Sequence, residues 1–277
     1  MESVLGDLGD LHSHLIPGVD DGAQAVEDSL DAVDRMVRAG VRRIVTTPHV
    51  KASLIDHTDE FEAFMAEVDE AWRRVHTVVS KRFPEVDFHR GFEVSVDTPD
   101  ADLSDDRLKM AGTSFMLIEW PMLHVPQRTE RVVQRIRDAG IKPIIAHPER
   151  YSGVDRGLAV VGLWRENGAY IQVSHGSLVG RYGKLAQQTA MELLKKGWVD
   201  FLSSDYHARS GLKPYIRESR EALSDVGADE QFRTLTATNP ARLLADEEPL
   251  PVQPLFVAPG WWDRIKDLLR GGGRRRP

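Results

Sequence analysis

The chain has 277 residues, of which 41% are hydrophobic and 29% are charged, a composition typical of a folded globular protein. The net charge of -7 and the lack of a long apolar run argue against nucleic-acid binding and membrane insertion, so we expect a cytoplasmic protein. The sequence contains no cysteine, which excludes disulfides, thiolate zinc sites and a cysteine nucleophile.

The first informative stretch is DLHSHLIPGVDDG, residues 10–22, which contains two histidines and three aspartates. The apolar-polar alternation around Leu8 to Leu15 predicts a short strand that runs into a loop. Side chains two residues apart in a strand point the same way, so we expect His12 and His14 to project together. Two such imidazoles beside carboxylates indicate a metal site, although a hydrogen-bonded surface turn fits these residues alone equally well.

Helical and strand patterns then alternate along the chain. The predicted helices are 25–40, 58–83, 125–140, 157–168 and 184–197, and the predicted strands are 41–49, 86–96, 115–120, 141–147, 169–174 and 198–207. Repeated helix-then-strand units imply a parallel sheet with helical crossovers, and no linker divides it. Beyond about residue 245 the sequence predicts an irregular segment, a short amphipathic helix over 261–270 and a flexible basic tail.

Side chains that can bind metals follow the apolar runs of the predicted strands. They are His49, Glu93, Glu119, His147, Asp205 and His207. In a parallel barrel the carboxyl ends of all strands meet on one face, where active sites lie. We therefore expect these residues to converge on a shared metal centre, an interpretation that accounts for them better than scattered core histidines.

Together with His12, His14 and Asp21, the candidate ligands number nine side chains, too many for one ion. They imply roughly two or three divalent ions, and a set of imidazoles and carboxylates without sulfur suits Mn, Fe or Zn and suits Ca poorly. Closely spaced ions are typical of enzymes that hydrolyse phosphate esters, because they polarise the phosphoryl oxygens and stabilise the leaving oxygen.

The motifs DLHSH, TPH, AHPERY and SSDYH resemble the polymerase-and-histidinol-phosphatase (PHP) metallohydrolase superfamily. Within it, the longer run DLHSHLIPGVDDGAQAVEDSLDAV, together with AHPERY, IQVSHGSLVGRYG and TATNPARLL, resembles the bacterial manganese-dependent protein-tyrosine phosphatases of capsule and exopolysaccharide operons. The resemblance covers roughly residues 7 to 245. It implies a distorted (β/α)7 TIM-like barrel, the PHP fold, over 1–245, with 246–277 as a C-terminal extension.

The resemblance also implies a trinuclear centre, most simply of manganese. It assigns a first ion to His12, His14, Glu93 and Asp205, and a second to His49, Glu93 and Glu119, with Glu93 as the bridge. It assigns the third ion to Asp21, His147 and His207. Arg150 is the residue expected to bind the substrate phosphate, since a guanidinium matches phosphate geometry, and Asp205 and His207 complete the candidate catalytic set.

One departure from the family concerns a second phosphate-binding arginine. Relatives often carry it shortly after the last histidine and before a proline, whereas this chain reads HARSGLKPYI, residues 207–216. Arg209 and Lys213 are both candidates to replace it. A lysine offers a point charge without a fork of donors, so phosphate binding through Lys213 would be weaker.

Three functions fit these residues. The first is a protein-tyrosine phosphatase that acts as a homo-oligomer on the tyrosine-rich tail of a bacterial tyrosine kinase. The second is a small-molecule phosphatase of the histidinol-phosphatase kind, and the third is a metal-stabilised regulator without catalysis. The loop IPGVDDG and the motif AHPERY favour the first function. His175 is not needed as a ligand, His124 is assigned to a loop, and Tyr151 either flanks the substrate or packs in the core.

Overall fold

Parallel strands alternate with helices along residues 7–154 and 157–256, the part of the chain that the computed structural model describes. The strands in those residues are β1 (Leu8–Asp10), β2 (Val41–Thr46), β3 (His49–Lys51), β4 (Asp87–Arg90), β5 (Glu93–Ser95), β6 (Phe115–Glu119), β7 (Lys142–Ala146), β8 (Tyr170–Ser174) and β9 (Phe201–Ser203). Each strand pairs with its neighbours in parallel. The predicted β/α order is confirmed, although several strands are shorter than their apolar runs.

The strands form a distorted barrel. Their hydrogen-bonded orders are β1-β2-β4 and β3-β5-β6-β7-β8-β9. Since β3 continues the chain from β2 and β5 continues it from β4 after two-residue breaks, the nine strands fill seven positions. A parallel bridge between Ser13 and Tyr206, with a hydrogen bond from the Leu11 N–H to Ser203 Oγ (3.1 Å), joins the last strand to the first. The predicted (β/α)7 barrel is confirmed.

The two strand breaks have local causes. Pro48, between β2 and β3, has no N–H to donate to a neighbouring strand. Gly91, between β4 and β5, lies so close to the next loop that a Cβ would stand 2.9 Å from the Met110 Cα. Past these breaks, β3 and β5 keep the register of β2 and β4, so that His49 lies opposite Glu93.

Helices cover the outside of the barrel. They are α1 (Val26–Arg38), α2 (Ala52–Ile55), α3 (Thr58–Arg82), α4 (Thr129–Asp138), α5 (Ala159–Glu166), α6 (His175–Leu178), α7 (Lys184–Lys195), α8 (Ile216–Ser224), α9 (Asp229–Arg233) and α10 (Asn239–Leu244). In α1 the buried side chains include Ser29, Ala32, Val33 and Met36, the spacing of one helical face. Helices α2, α6 and α8 to α10 are absent from the predictions. Among the described residues, none of the helices has the length and apolarity to cross a membrane.

The barrel interior and its outer layer are separate apolar clusters. In β6, Phe115 and Leu117 belong to the interior cluster, whereas Met116 and Ile118 face the helices. The interior cluster includes Leu11 and Ala146, which directly precede His12 and His147 in the chain. Residues 247–256 carry no helix or strand, as predicted, and Leu255 is tied to α7 by a hydrogen bond from its N–H to the Leu194 carbonyl (3.0 Å). The predicted helix over 261–270 and the basic tail lie outside the described residues.

Candidate metal centre

Glu93 lies at the middle of the nine predicted ligands. It is the first residue of β5 and is fully buried, with imidazole nitrogens on several sides. Its Oε2 lies 3.1 Å from His12 Nε2, 3.1 Å from His49 Nδ1 and 3.5 Å from His14 Nε2, and its Oε1 accepts a hydrogen bond from His147 Nε2 at 2.9 Å. One carboxylate therefore contacts histidines that come from three separate parts of the chain.

The remaining carboxylates extend this cluster toward its rim. Asp205 Oδ1 lies 3.4 Å from the Nε2 atoms of both His12 and His14. Asp21 Oδ1 lies 3.2 Å from His207 Nε2 and 3.5 Å from His49 Nε2. Glu119 Oε1 lies 3.8 Å from His49 Nδ1. The structure thus brings together all nine residues that the sequence predicted as ligands.

Potential ligand atoms within 4.8 Å of one another define four overlapping groups. They are His12-His14-Asp205, His12-Glu93-His147, His49-Glu93-Glu119 and His14-Asp21-His49-His207. The first and third overlap with the predicted ion sites, whereas the predicted third set is divided: Asp21 and His207 lie with His14 and His49, and His147 lies with His12 and Glu93. His49 takes the place of His147 beside Asp21 and His207, while His147 turns to Glu93.

The position of His147 follows from its backbone. The residue comes directly after β7 and adopts a left-handed conformation with φ of 35°. Such a φ is rare outside glycine and redirects the side chain from the strand's alternation. His147 consequently reaches inward to Glu93, which a reading based on strand periodicity does not foresee.

The donor atoms suit divalent ions. His12 Nε2 and His14 Nε2 face each other at 3.3 Å, and Glu93 Oε2 and His147 Nδ1 are buried without a hydrogen-bond partner among the described residues. Buried polar atoms normally find partners, so this arrangement is incomplete as protein alone. Imidazole and carboxylate donors without sulfur are the ligands of Mn, Fe or Zn, and the residues present therefore fit the implied metals.

Charge in the cluster is balanced by protons when no ion is present. Burial opposes a charge on His12, but the carboxylates of Glu93 and Asp205 outweigh it and raise the pKa of His12 to about 9. Burial, reinforced by the Glu93 charge, raises the pKa of Glu119 to about 8. Metal ligands must lose their protons to bind, so ion binding would replace these protons and release them.

Neighbouring polar residues hold the histidines in place. His12 Nδ1 donates to Gln172 Oε1 at 2.9 Å, and His14 Nδ1 donates to Asp20 Oδ2 at 2.7 Å, which leaves both Nε2 atoms aimed at the centre. Asp10 accepts hydrogen bonds from the backbone N–H groups of His12 (3.3 Å) and Ser204 (2.8 Å). Partners of this kind orient ligands and tune their basicity.

Sequence reasoning assigned no role to Gln172, Asp20 or Asp10. A signal existed for two of them. Gln172 is a polar residue inside the buried strand β8, and Asp10 is an aspartate that ends the apolar start of β1. A buried polar residue in a strand needs a partner, which makes its neighbourhood a candidate site. Asp20 stands beside Asp21, and only the fold distinguishes their roles.

Arg150 reaches the centre through Asp205. Its Nη1 donates to Asp205 Oδ2, and its guanidinium lies 4.3 Å from the centre of the Tyr182 ring. The neighbouring carboxylate, Glu149, is buried and accepts hydrogen bonds from the Ser174 N–H (3.0 Å) and Ser177 Oγ (2.6 Å) instead of pairing with Arg150. Arg150 therefore borders the ligand cluster, as predicted for a phosphate-binding residue.

The two candidates for the second phosphate-binding residue differ in position. Arg209 donates from Nη2 to Asp21 Oδ2 at 2.6 Å and from Nε to the Asp21 carbonyl. Lys213 instead donates to Glu218 and lies 5.2 Å from the centre of the Tyr215 ring. The structure therefore brings Arg209 to the ligand cluster and does not bring Lys213 there.

Three further residues that the sequence analysis considered are hydrogen-bonded to protein groups other than the predicted ligands. His175 is buried and shares a 2.7 Å hydrogen bond with Ser219 Oγ, apart from the centre. His124 is exposed in a loop and pairs with Ser152, as predicted. Tyr151 is buried, and its hydroxyl accepts a hydrogen bond from the Trp120 N–H (3.2 Å), so packing is its role.

Comparison with known proteins adds a family to this geometry. The family described as "Capsular polysaccharide synthesis, CpsB/CapC" matches residues 8–245. The tyrosine-protein phosphatase YwqE of Bacillus subtilis is 30% identical over 200 residues, which are 72% of this chain and 76% of that protein. The tyrosine-protein phosphatase CpsB of Streptococcus pneumoniae is 24% identical over 245 residues, which are 86% of this chain and 98% of that protein.

Solved structures agree with the sequence relatives. A structure from the pair YwqE of Bacillus subtilis and CpsB of Streptococcus pneumoniae, described as unique metal-dependent tyrosine phosphatases, matches with a TM-score of 0.76 at 26% identity, covering 90% of this chain and 99% of that chain. An amidohydrolase from Mycoplasma synoviae shares the fold alone, with a TM-score of 0.52 at 15% identity over 95% of this chain and 94% of that chain.

Proposed function

The chain belongs to the CpsB/CapC family of capsular polysaccharide synthesis proteins, and from this premise we propose that it is a metal-dependent tyrosine-protein phosphatase. The observation that carries the proposal is the cluster around Glu93, with Arg150 at its border. A phosphatase needs positive charge for the phosphoryl oxygens and a group that holds the phosphate in place. Ions in the cluster and the Arg150 guanidinium would supply these two requirements.

The four ligand groups support roughly three ions with shared ligands. We assign one ion to His12, His14 and Asp205 and another to Asp21, His49 and His207. The remaining ion falls to Glu93 with His147 and Glu119, each of which shares a ligand group with Glu93. Glu93 has histidines of all three sets within 3.5 Å, which fits a bridging ligand. Manganese is the proposed metal, and the donor set also accepts iron or zinc.

The bound ions would polarise the phosphoryl oxygens and lower the pKa of water to provide a nucleophile near neutral pH. Arg150 would exchange its contact with Asp205 for two parallel hydrogen bonds to the phosphoryl oxygens. Arg209, at Asp21, would be a second guanidinium at the border of the cluster. The leaving group is a phenolate, whose conjugate acid has a pKa near 10, so it needs less protonation than an alkoxide.

For the partner, we propose a phosphotyrosine protein, most specifically the tyrosine-rich tail of a bacterial tyrosine kinase in capsule synthesis. The assignment is supported by the capsular description of the family and by the phosphatase names of YwqE and CpsB. The proposal also includes a cytoplasmic location and homo-oligomer formation.

The test is a phosphatase assay of the purified protein with added Mn²⁺, in which a phosphotyrosine peptide is compared with histidinol phosphate. We expect turnover that favours the peptide, stops after exhaustive chelation and ignores thiol reagents, because the chain has no cysteine. Faster hydrolysis of histidinol phosphate would indicate a small-molecule phosphatase. Tight metal binding without hydrolysis of either compound would indicate a non-catalytic regulator.

A further inference from the structure

A cavity of about 640 Å³ opens beside the metal centre on the side of β3 and α2. Asp21, His49 and Glu119, which belong to the ligand cluster, form one end of its lining. The cavity and the metal centre are therefore continuous, and a molecule whose phosphate binds the ions can extend into this space. We call this cavity the side groove.

The walls of the side groove include apolar side chains. Val19, Leu54 and Phe64 line it, and each is half-buried, so part of every side chain is available for contact. The Phe64 ring packs against the fully buried Phe92, with ring centres 6.1 Å apart. Aromatic and aliphatic groups placed in this way suit a flat apolar group such as a phenyl ring.

The groove wall is held in a defined position. Ser53, at the start of α2, donates from its N–H to Asp97 Oδ1 at 2.8 Å and from its Oγ to Asp97 Oδ2 at 2.6 Å. These bonds anchor the short helix that carries Leu54. A wall that is already ordered loses little conformational entropy when a ligand binds, which favours affinity.

The direction of the groove matches the position of Arg150. Arg150 contacts Asp205 and Tyr182, which belong to the segments that follow β9 and α6, and none of these three residues lines the groove. A phosphoryl group bound between the ions and Arg150 therefore has its open side toward β3 and α2. The ester oxygen and its substituent would leave the centre on that side, through the side groove.

We propose that the side groove binds the aromatic ring of the phosphotyrosine substrate, with room for the adjoining peptide. The inference rests on the proposed phosphatase function and names the element that recognises its substrate. Ring contact with Leu54 and Phe64 stabilises the bound substrate and the transition state alike, so it acts on KM and leaves kcat unchanged. Val19, in the loop after β1, and Leu54, on α2, would contact the ring as well.

The test uses the full chain loaded with Mn²⁺ and two groove variants, Leu54→Ser and Phe64→Ala. Leu163→Ser is the matched control, because Leu163 is 44% exposed on α5 and does not line the groove. For each protein the KM and kcat for a phosphotyrosine peptide, the inhibition constant of inorganic phosphate and the bound metal are measured. Inorganic phosphate reports on the ions and Arg150 without any aromatic ring.

We expect each groove variant to raise the KM for the peptide by about 5- to 10-fold, the size of one lost aromatic contact, with kcat and the phosphate inhibition constant within twofold of the parent. The control is expected to match the parent. An active parent with unchanged KM in both folded, metal-loaded groove variants would overturn the groove assignment alone. A parent that binds metal but does not hydrolyse the peptide would overturn the proposed function and the groove assignment with it.

Discussion

The two ends of the barrel both bury charged side chains but treat them differently. At the amino end of β9, Asp200 Oδ2 accepts hydrogen bonds from the Ile171 N–H at 2.8 Å and from Arg165 Nη1 at 2.6 Å. The Asp200 carbonyl accepts a further bond from Asn239 Nδ2 at 2.9 Å. This network is complete within the protein.

At the carboxyl end of the strands the polar groups do not satisfy one another's hydrogen-bonding capacity. Glu93 Oε2 faces three imidazoles, and the Nε2 atoms of His12 and His14 face each other at 3.3 Å. Cations between these atoms would satisfy them all at once. The difference teaches that a complete buried network stabilises the fold, whereas an incomplete one at the catalytic face of a barrel marks a site for a ligand.

The largest expected effect comes from the middle of the incomplete network. Glu93→Gln removes the charge of the proposed bridging ligand, so we expect fewer bound ions and a fall in kcat/KM of about 10³-fold or more. Metal analysis and steady-state kinetics on one preparation check this, with exposed Glu67→Gln on α3 as the control. An unchanged metal count per chain in Glu93→Gln would reject the bridging role.

The next effect tests whether Arg150 serves the chemistry or the fold. Arg150→Ala is expected to lower kcat/KM, with a loss of about 2–4 kcal/mol in transition-state stabilisation, while the metal content stays the same. Arg150→Lys should recover only part of the activity, since the paired hydrogen bonds are lost.

Melting temperature, bound metal and kcat/KM of the Arg150 variants are compared with those of Arg131→Ala, which alters an exposed arginine of α4. Normal kinetics in a metal-loaded Arg150→Ala protein would remove Arg150 from the mechanism. A loss of stability with normal turnover per folded molecule would assign it a structural role.

At the complete network the expected effect is on stability alone. Asp200→Ala leaves the Ile171 N–H and the Arg165 guanidinium without this acceptor, which should lower the free energy of unfolding by about 2–3 kcal/mol. Metal content and kcat/KM should stay at the parent values. Chemical denaturation measures the loss of stability, and kinetics and metal analysis of the same samples test the unchanged activity and metal content. A selective loss of bound metal in Asp200→Ala would contradict the view that the two ends of the barrel have different roles.

The smallest effect concerns His175, a histidine after β8 that does not join the ligands. Burial lowers the pKa of His175 to about 3, so the folded protein keeps it neutral while the unfolded chain protonates it near pH 6.5. The folded state gains its full benefit above pH 6.5, and stability falls as the pH drops from there toward 3.

Between pH 7 and 5.5 the His175 contribution should change by about 1 kcal/mol. His175→Gln should therefore lose less stability over this range than the parent protein, and the difference between the two denaturation series isolates the residue from other titrating groups. Parallel pH profiles for parent and variant would contradict the assignment of a neutral, buried His175.

Much of the barrel and its ligand set could be predicted from local sequence. Apolar runs such as those of β6 and β7 end in Glu119 and His147, and the carboxyl ends of parallel strands meet on one face. Helices α2, α6, α9 and α10 escaped prediction because they have only 4 to 6 residues, and helices this short are stabilised by packing more than by their own sequence. Helix α8, which has 9 residues, is also absent from the predictions.

The sequence by itself determined which residue types stand at the strand ends, and therefore the chemistry of the centre: imidazole and carboxylate, without sulfur. Only the tertiary structure decided which of them are neighbours. His49 lies opposite Glu93 because β3 and β5 keep the register of β2 and β4 across both strand breaks, and the contact of His147 with Glu93 depends on a left-handed backbone. Periodicity reports the side on which a residue lies, whereas distances of 3 to 4 Å between strands remote in sequence are set by register, backbone strain and packing.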